Sequence, residues 1–297
     1  MRLLKNCLKM MCLLAMMLLS PITRANDSSV HLVLDARNAP ILPRNFRVLP
    51  EQHIAGGAQF SELGLKRILQ QLHAKHITVI DLREESHGFL DGSAISWYGY
   101  EDAANANKTP NQINKDQRVR LAALSMKKHV IVDRVLSKSV DGAIVSIKPI
   151  EFVVREVLSE EALLYKHHLR YRRVYVQDFH APSNRETDRF IQIVTHLPAH
   201  QWVFFHCHAG VGRTTTAMVM VDMMKNAKNT TFAAILARQQ AIGGKDLTAM
   251  PNAKSFKREA AEARMDFLRK FYDYARENKD RFKTSWSEWL QLKHFSS

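Results

Sequence analysis

Residues 202–214, Trp202-Val203-Phe204-Phe205-His206-Cys207-His208-Ala209-Gly210-Val211-Gly212-Arg213-Thr214, pass from an apolar run through a short loop into a segment, Thr214 to Lys225, that is apolar almost all round. The first part reads as a buried strand and the last as a helix buried under a sheet. A strand that feeds straight into a buried helix belongs to an α/β architecture. The loop between them carries Cys207, and the chain's two other cysteines, Cys7 and Cys12, both lie in its first 25 residues.

The order of residues in that loop suits phosphoryl transfer. Gly210 and Gly212 permit a tight turn whose backbone N–H groups converge, and the helix that follows adds its positive end, so His208, Ala209, Gly210, Val211 and Gly212 form a cradle for a dianionic phosphate. Arg213 is suited to grip two phosphate oxygens at once, which lysine cannot do. The same field favours thiolate over thiol, so Cys207 is expected to titrate below the free value of about 8.5 and to act as nucleophile. His206 is expected to orient the loop through its ring, and Thr214 to hydrogen-bond the sulfur. Attack on phosphorus also needs an acid on another segment to protonate the leaving alkoxide. Asp178, in Val176-Gln177-Asp178-Phe179-His180-Ala181-Pro182 after the strand-like Arg173-Val174-Tyr175-Val176, is that candidate.

Outward from this site, Ser61 to His73 has helical spacing of Leu63, Leu65, Ile68, Leu69 and Leu72 behind a Ser61 cap. Ile77 to Ile80 reads as a strand delivering Asp81 and Arg83 at its end. Glu101 to Lys115, polar and rich in Asn and Ala, reads as the longest loop. Residues 128–159 hold three β-branched runs, HVIVDRV, GAIVSI and IEFVVREVL, which predict an antiparallel meander and a small β subdomain. Helices are expected over Phe232 to Ala241, stopped by Gly243-Gly244, and over Ser255 to Asn278, with Trp286 and Trp289 packing back on the body.

The N-terminal 25 residues combine Arg2, Lys5 and Lys9 with the apolar run Met10 to Leu19, which reads as an export signal ending near Ala25. That run is half the roughly 20 residues of a membrane-spanning helix, so no stable anchor is expected. Residues 26–297 would then form one phosphatase domain in the periplasm or outside the cell, with one cysteine and no internal disulfide. Without the signal the formal charge falls from +14 to +10, which favours a polyanionic partner. Export and the lack of a dense Lys/Arg run with interleaved aromatics argue against nucleic acid. None of the fourteen histidines is assigned to a metal site, and no cofactor is expected.

The loop HCHAGVGRT resembles the signature of protein tyrosine phosphatases. ILPRNFRVL (Ile41 to Leu49), GGAQFSELGL (Gly56 to Leu65), DLREESHGFLDGSAISWYG (Asp81 to Gly99) and TDRF (Thr187 to Phe190) narrow the resemblance to the tyrosine-phosphatase-like inositol polyphosphatases, the bacterial cysteine phytases, over most of Ile41 to Leu290. This resemblance implies a phosphatase core, a central sheet flanked by helices, joined to a small partial β-barrel. It also implies a shallow basic pocket with Arg47, Asp81, Arg83, Glu84, His87, His180, Lys254 and Lys257 as substrate contacts. The family typically reads Asp-His, two residues, then Pro; here Phe179 intervenes before His180, which is expected to turn that histidine away. His208 stands where related loops often carry an acid, and a more positive loop suits a more highly charged substrate.

The expected function is metal-independent hydrolysis of myo-inositol hexakisphosphate and lower inositol phosphates through a phosphocysteine. A phosphoinositide or phosphotyrosyl-protein phosphatase uses the same loop and is the alternative within the enzymes. A phosphate-binding module without turnover is the alternative outside them.

Overall fold

The computed structural model describes residues 30–100, 104–198 and 200–294; the expected export signal lies outside them. The elements run β1 His31–Ala36, β2 Arg47–Leu49, β3 Ile54–Ala58, α1 Glu62–Gln71, β4 Ile77–Arg83, β5 His87–Leu90, β6 Ser93–Tyr98 and α2 Pro110–Ser125. They continue with β7 His129–Lys138, β8 Ile144–Val153, β9 Val157–Leu158, α3 Glu160–Lys166, β10 Arg170–Val176 and α4 Asn184–Thr195. β11 Trp202–Cys207, α5 Gly212–Asn226, α6 Phe232–Ala241, α7 Arg258–Glu277 and α8 Trp286–Leu292 complete the chain.

Two sheets organise these elements. The first has the order β10-β4-β11-β3-β2 and is parallel except for β2, so β10, β4, β11 and β3 end on one side of the molecule. Ligands of open α/β sheets bind beyond the carboxyl ends of such strands. Its two faces are covered differently. Val203, Phe205 and Cys207 pack on the side of α5, α7 and α8, with Met218, Leu268, Phe271 and Trp286. Phe204, one residue out of phase, packs on the other side with Phe60, Leu65 and Ile68 around α1 and Leu163 and Leu164 of α3. Strand parity thus sends neighbouring residues of β11 to opposite layers.

The second sheet has the order β8-β7-β1-β6-β5-β9 and is covered by α2, whose Leu121 and Leu124 meet Leu90, Ile95, Trp97 and Val132. Among the described residues no pairing closes it into a barrel; β8 and β9 are its edges. The meander is antiparallel as expected, but its second and third runs join in one ten-residue strand, β8, with Pro149 inside it. Proline is tolerated there because β8 is an edge strand. The expected loop over Glu101 to Lys115 also ends early. Pro110 opens α2, and a reciprocal capping box between Thr109 and Gln112 starts the helix in spite of its polar first turns.

Candidate active site

β11 delivers His206 and Cys207 at its end, and Gly210 makes the return. Its φ is +72°, and a Cβ there would lie 2.3 Å from Ala58 N and from Gly57 C, so only glycine lets the loop press against the end of β3. The loop's carbonyls are all held from outside. His208 O accepts from Gln59 N at 3.2 Å, Ala209 O from Asn45 Nδ2 at 2.8 Å, Gly210 O from Arg47 Nη1 at 2.8 Å and Val211 O from Thr215 Oγ1 at 2.6 Å. In a trans peptide the C=O and the next N–H point opposite ways, so the N–H groups of residues 209–212 face inward. Six helices open on a Ser or Thr that caps the first turn, whereas α5, on Val211, and α7, on Lys257, open with no side-chain cap. The N-terminus of α5 is left to an anion.

Arg213 shows how that anion would be gripped. Glu85 Oε2 and Oε1 take Nη1 and Nη2 at 2.7 and 2.9 Å, and Val176 O takes Nη1 at 3.0 Å. Asp178 Oδ1 stands 3.1 Å from Nη2, and the buried Nε has no protein partner. One edge of the guanidinium is therefore fixed by Glu85, Nη2 is shared with Asp178, and only Nε is without a partner, so a phosphate gripped through Nε and Nη2 takes Nη2 from Asp178. Burial works against the Arg213 charge, but Asp178 and Glu85 outweigh it and raise its pKa well above the usual arginine value. Burial likewise opposes the Glu85 carboxylate, and Arg213 and Arg83 hold it well below the ordinary range.

Cys207, 2% exposed, accepts from Thr214 Oγ1 at 3.2 Å. Three buried guanidinium groups, Arg47, Arg213 and Arg264, lie within electrostatic reach of its sulfur. His206 points to the opposite layer, where its Nε2 meets Glu160 Oε1 at 2.7 Å. Burial alone would raise the Glu160 carboxyl, but His206 and His87 bring it down to about 2. His206 therefore ties the end of β11 to α3.

Asp178 follows β10, and Phe179 after it has φ +67°, the left-handed region that a bulky side chain enters at a cost. Its conformation is held on all sides. Arg264 Nη1 donates to Phe179 O at 3.0 Å, Phe256 meets the ring edge-on at 5.4 Å and Lys257 Nζ sits 4.6 Å from its centre. Phe179 thereby faces the cleft beside Asp178, while His180 is exposed, its Nδ1 turned back to Asp178 O at 2.7 Å. His180, expected among the substrate contacts, is thus outside the cleft lining, which corrects that expectation; the extra residue turns it away.

That cleft, about 650 Å³, lies where the two sheets meet. Asp178, Phe179, His208, Ala209, Phe256 and Lys257 line it from the side of the five-stranded sheet. Arg37, Tyr98, Arg134 and Lys138 are among the residues that line it from the other side, and Arg44, whose O accepts from Ala58 N at the end of β3, lines it from the first. His208 Nε2 stands 3.3 Å from Asp35 Oδ1, which joins the loop to β1.

Several expected substrate contacts are placed elsewhere, and these are corrections. Arg47 is 4% exposed and supports the loop from behind through Gly210 O and Thr215 Oγ1; burial lowers its pKa to about 10, and Arg44 of the same segment is the residue that reaches the cleft. Asp81, Arg83 and His87 are fully buried among protein partners. Arg83 binds Asp35, Gln59 and Glu85 at 2.7, 2.7 and 2.9 Å, while Asp81 binds Tyr171, Arg173 and His87 at 2.8, 3.2 and 3.2 Å. The reason is parity: Ile80 and Leu82 of β4 share the layer of Cys207, so Asp81 and Arg83 point the other way. Glu84 is half-buried near Arg213, with a carboxyl that burial and Glu85 push up to about 7. Lys254 is exposed outside the cleft lining, while Lys257 is in it.

Sequence reasoning missed Glu85, Glu160, Asp35 and Arg264. Arg264 had a signal, since it recurs with Ala260, Leu268 and Phe271 on the apolar stripe of α7. Glu85 sits in the quoted DLREESHGF block, where nothing separates it from Glu84.

Comparison with known proteins agrees with this geometry. The family model PTPlike_phytase, described as inositol hexakisphosphate, matches residues 80–225. The chain is similar to the PTP-like myo-inositol phosphatase of Mitsuokella multacida, solved in complex with myo-inositol-(1,3,4,5)-tetrakisphosphate. Identity is 32%, the TM-score 0.85, and 93% of this chain and 50% of that one are covered. Effector protein hopD2 of Pseudomonas syringae pv. tomato is 33% identical over 244 residues, 81% of this chain and 52% of its own. The chain thus spans about half the length of those two relatives. A PTP-like phytase from Bdellovibrio bacteriovorus is 33% identical with a TM-score of 0.75, covering 91% of this chain and 98% of that one. Matched nearly end to end by that protein and sharing its α/β fold, this chain belongs to the protein-tyrosine-phosphatase-like phytase family.

Proposed function

We propose that this chain is a cysteine-dependent phosphomonoesterase acting on myo-inositol hexakisphosphate and lower inositol phosphates. The observation that carries the reading is the buried, unpartnered Nε of Arg213 in the first turn of a helix with no side-chain cap, with Asp178 3.1 Å from Nη2 and Cys207 at the end of the strand that leads into the same loop. Bound there, a phosphate ester presents phosphorus to Cys207 Sγ. The S–P bond forms as the P–O bond to the inositol carbon's oxygen breaks, and Asp178 gives that oxygen its proton. Water then loses a proton to the Asp178 carboxylate and attacks phosphorus, and Sγ leaves as a thiolate that accepts from Thr214 Oγ1. Arg213 and the loop amides supply the charge stabilisation that a metal would otherwise give, so the mechanism is metal-independent.

Substrate class rests on charge. Arg37, Arg44, Arg134, Lys138, His208 and Lys257 surround the cleft, more cationic groups than a single phosphate needs. The inositol tetrakisphosphate complex of the Mitsuokella protein supports the same class. Export to the periplasm or beyond is part of the proposal and rests on the N-terminal 25 residues. A non-catalytic module would have no use for Cys207, Arg213 and Asp178 together. The test is phosphate release, without added metal, from inositol hexakisphosphate, a phosphoinositide and a phosphotyrosyl peptide side by side. Fastest release from the first supports the reading, and preference for the peptide overturns it.

A further inference from the structure

The β7–β8 hairpin carries a surface that catalysis does not use. Six of the thirteen exposed large apolar side chains of the described residues lie on it: Ile131, Leu136, Val140, Val145, Ile147 and Val153. Val140 is at the tip and 87% exposed. The ladder slips twice just below the tip, with Leu136 the extra residue on β7 and Val145 the extra residue on β8. Bulges re-aim side chains, and here both turn an apolar group into solvent, 58% and 57% exposed. Apolar surface concentrated in this way marks an interaction site.

The hairpin carries three basic and three acidic residues, but Asp133 and Glu151 are paired with His31 and His129, which leaves Asp141 against Arg134, Lys138 and Lys148 towards the tip and favours an anionic partner. Arg134 and Lys148 are directly opposite each other across the ladder, a like-charge pair that costs stability unless an anion joins it. Lys138 stands two residues from Val140, with its Nζ 3.5 Å from the ring centre of Tyr98. Arg134, Lys138, Ser139 and Gly142 all line the cleft, so whatever the tip enters lies beside the cleft mouth. No helix among the described residues is long and apolar enough to cross a membrane.

The geometry points to an anionic lipid bilayer as the partner. Leu136, Val140 and Val145 enter the interface while Arg134, Lys138 and Lys148 meet anionic headgroups, which holds the cleft at headgroup level. If the cleft is the phosphatase site proposed above, docking gives it access to phosphorylated lipid headgroups as well as soluble inositol phosphates.

The experiment is co-sedimentation of the full chain with phosphatidylcholine vesicles, with and without about a third phosphatidylserine. Its comparison is the Leu136→Asp/Val140→Asp double variant, whose two positions are exposed and outside the cleft lining. Binding to the anionic vesicles alone, weakened on the order of ten-fold in the variant, is the expected result. Equal binding by both proteins, or none by the wild type, overturns docking. So does a wild-type dimer in sedimentation velocity that the variant breaks, which would assign the hairpin to a second copy. Turnover of soluble inositol hexakisphosphate is measured on both proteins in parallel. Loss of vesicle binding with turnover intact supports docking. If neither protein turns over the soluble substrate while the binding difference persists, docking holds and the phosphatase reading falls.

Discussion

At the residue scale, the site works through pairs rather than single groups. Glu85 is acceptor to both Nη atoms of Arg213 and to Arg83 Nε, so the arginine reaches the loop already oriented. In Glu85→Gln one charge-assisted contact becomes neutral and the fork loses its matched partner. We expect kcat/KM to fall on the order of 100-fold, the scale of removing one pre-organised transition-state contact, checked by steady-state phosphate release. Glu84, one residue earlier, behaves in the opposite way. Its carboxyl is raised from the usual 4.5 to about 7, so the folded chain keeps this proton in a range where the unfolded chain has lost it. The stability it contributes is complete below pH 4.5 and is lost as pH rises through 7. Melting temperatures from pH 4 to 8 should show the wild type losing ground to Glu84→Gln across that window. Parallel curves would contradict the assignment. The candidate trio Cys207, Arg213 and Asp178 was legible because each member stands in a motif with a mechanical reason for its spacing. Asp81, Arg83 and His87 were misread because a motif gives sequence neighbours, while strand parity decides which of them face the cleft.

At the element scale, the acid loop is set by a helix distant in sequence. Arg264 on α7 donates to Phe179 O, and Phe256 and Lys257 before the helix clasp the Phe179 ring. Arg264→Met keeps the buried stem and removes the donor. We expect kcat to drop by about ten-fold with KM little changed, and Arg264→Lys to recover part of it; a KM-only effect would place Arg264 in binding instead. Elements with one clear apolar face, α1 and α6, were readable to within one or two residues. The start of α2 was not, because its first turns are polar and its helix depends on the Thr109–Gln112 cap and on Leu121 and Leu124 covering the second sheet. The separation of the second and third β-branched runs on either side of Lys148-Pro149 failed for a related reason. Proline ends a strand only where its missing N–H is needed, and on the edge strand β8 it is not.

At the scale of the whole molecule, a phosphatase core and a six-stranded sheet share one basic cleft. Charge balance announced a polyanionic partner from composition, but the cationic lining from the second sheet, Arg37, Arg134 and Lys138, was invisible until the sheet was placed. The C-terminal α8 closes the core, where Trp286 is 1% exposed and packs against Phe267, Phe271, Tyr274 and Trp289. Trp286→Ala should cost about 3–5 kcal/mol in denaturant unfolding, and a loss under 1 kcal/mol would mean that α8 is peripheral. The central claim is that Cys207 carries the phosphoryl group between two steps. Rapid acid quench of the enzyme turning over radiolabelled inositol hexakisphosphate tests it most directly. Transient label is expected on the wild-type protein at Cys207, with none on Cys207→Ser and no phosphate release by that variant. Wild-type release rates from Cys207→Ser, or turnover with no label at Cys207, would contradict it.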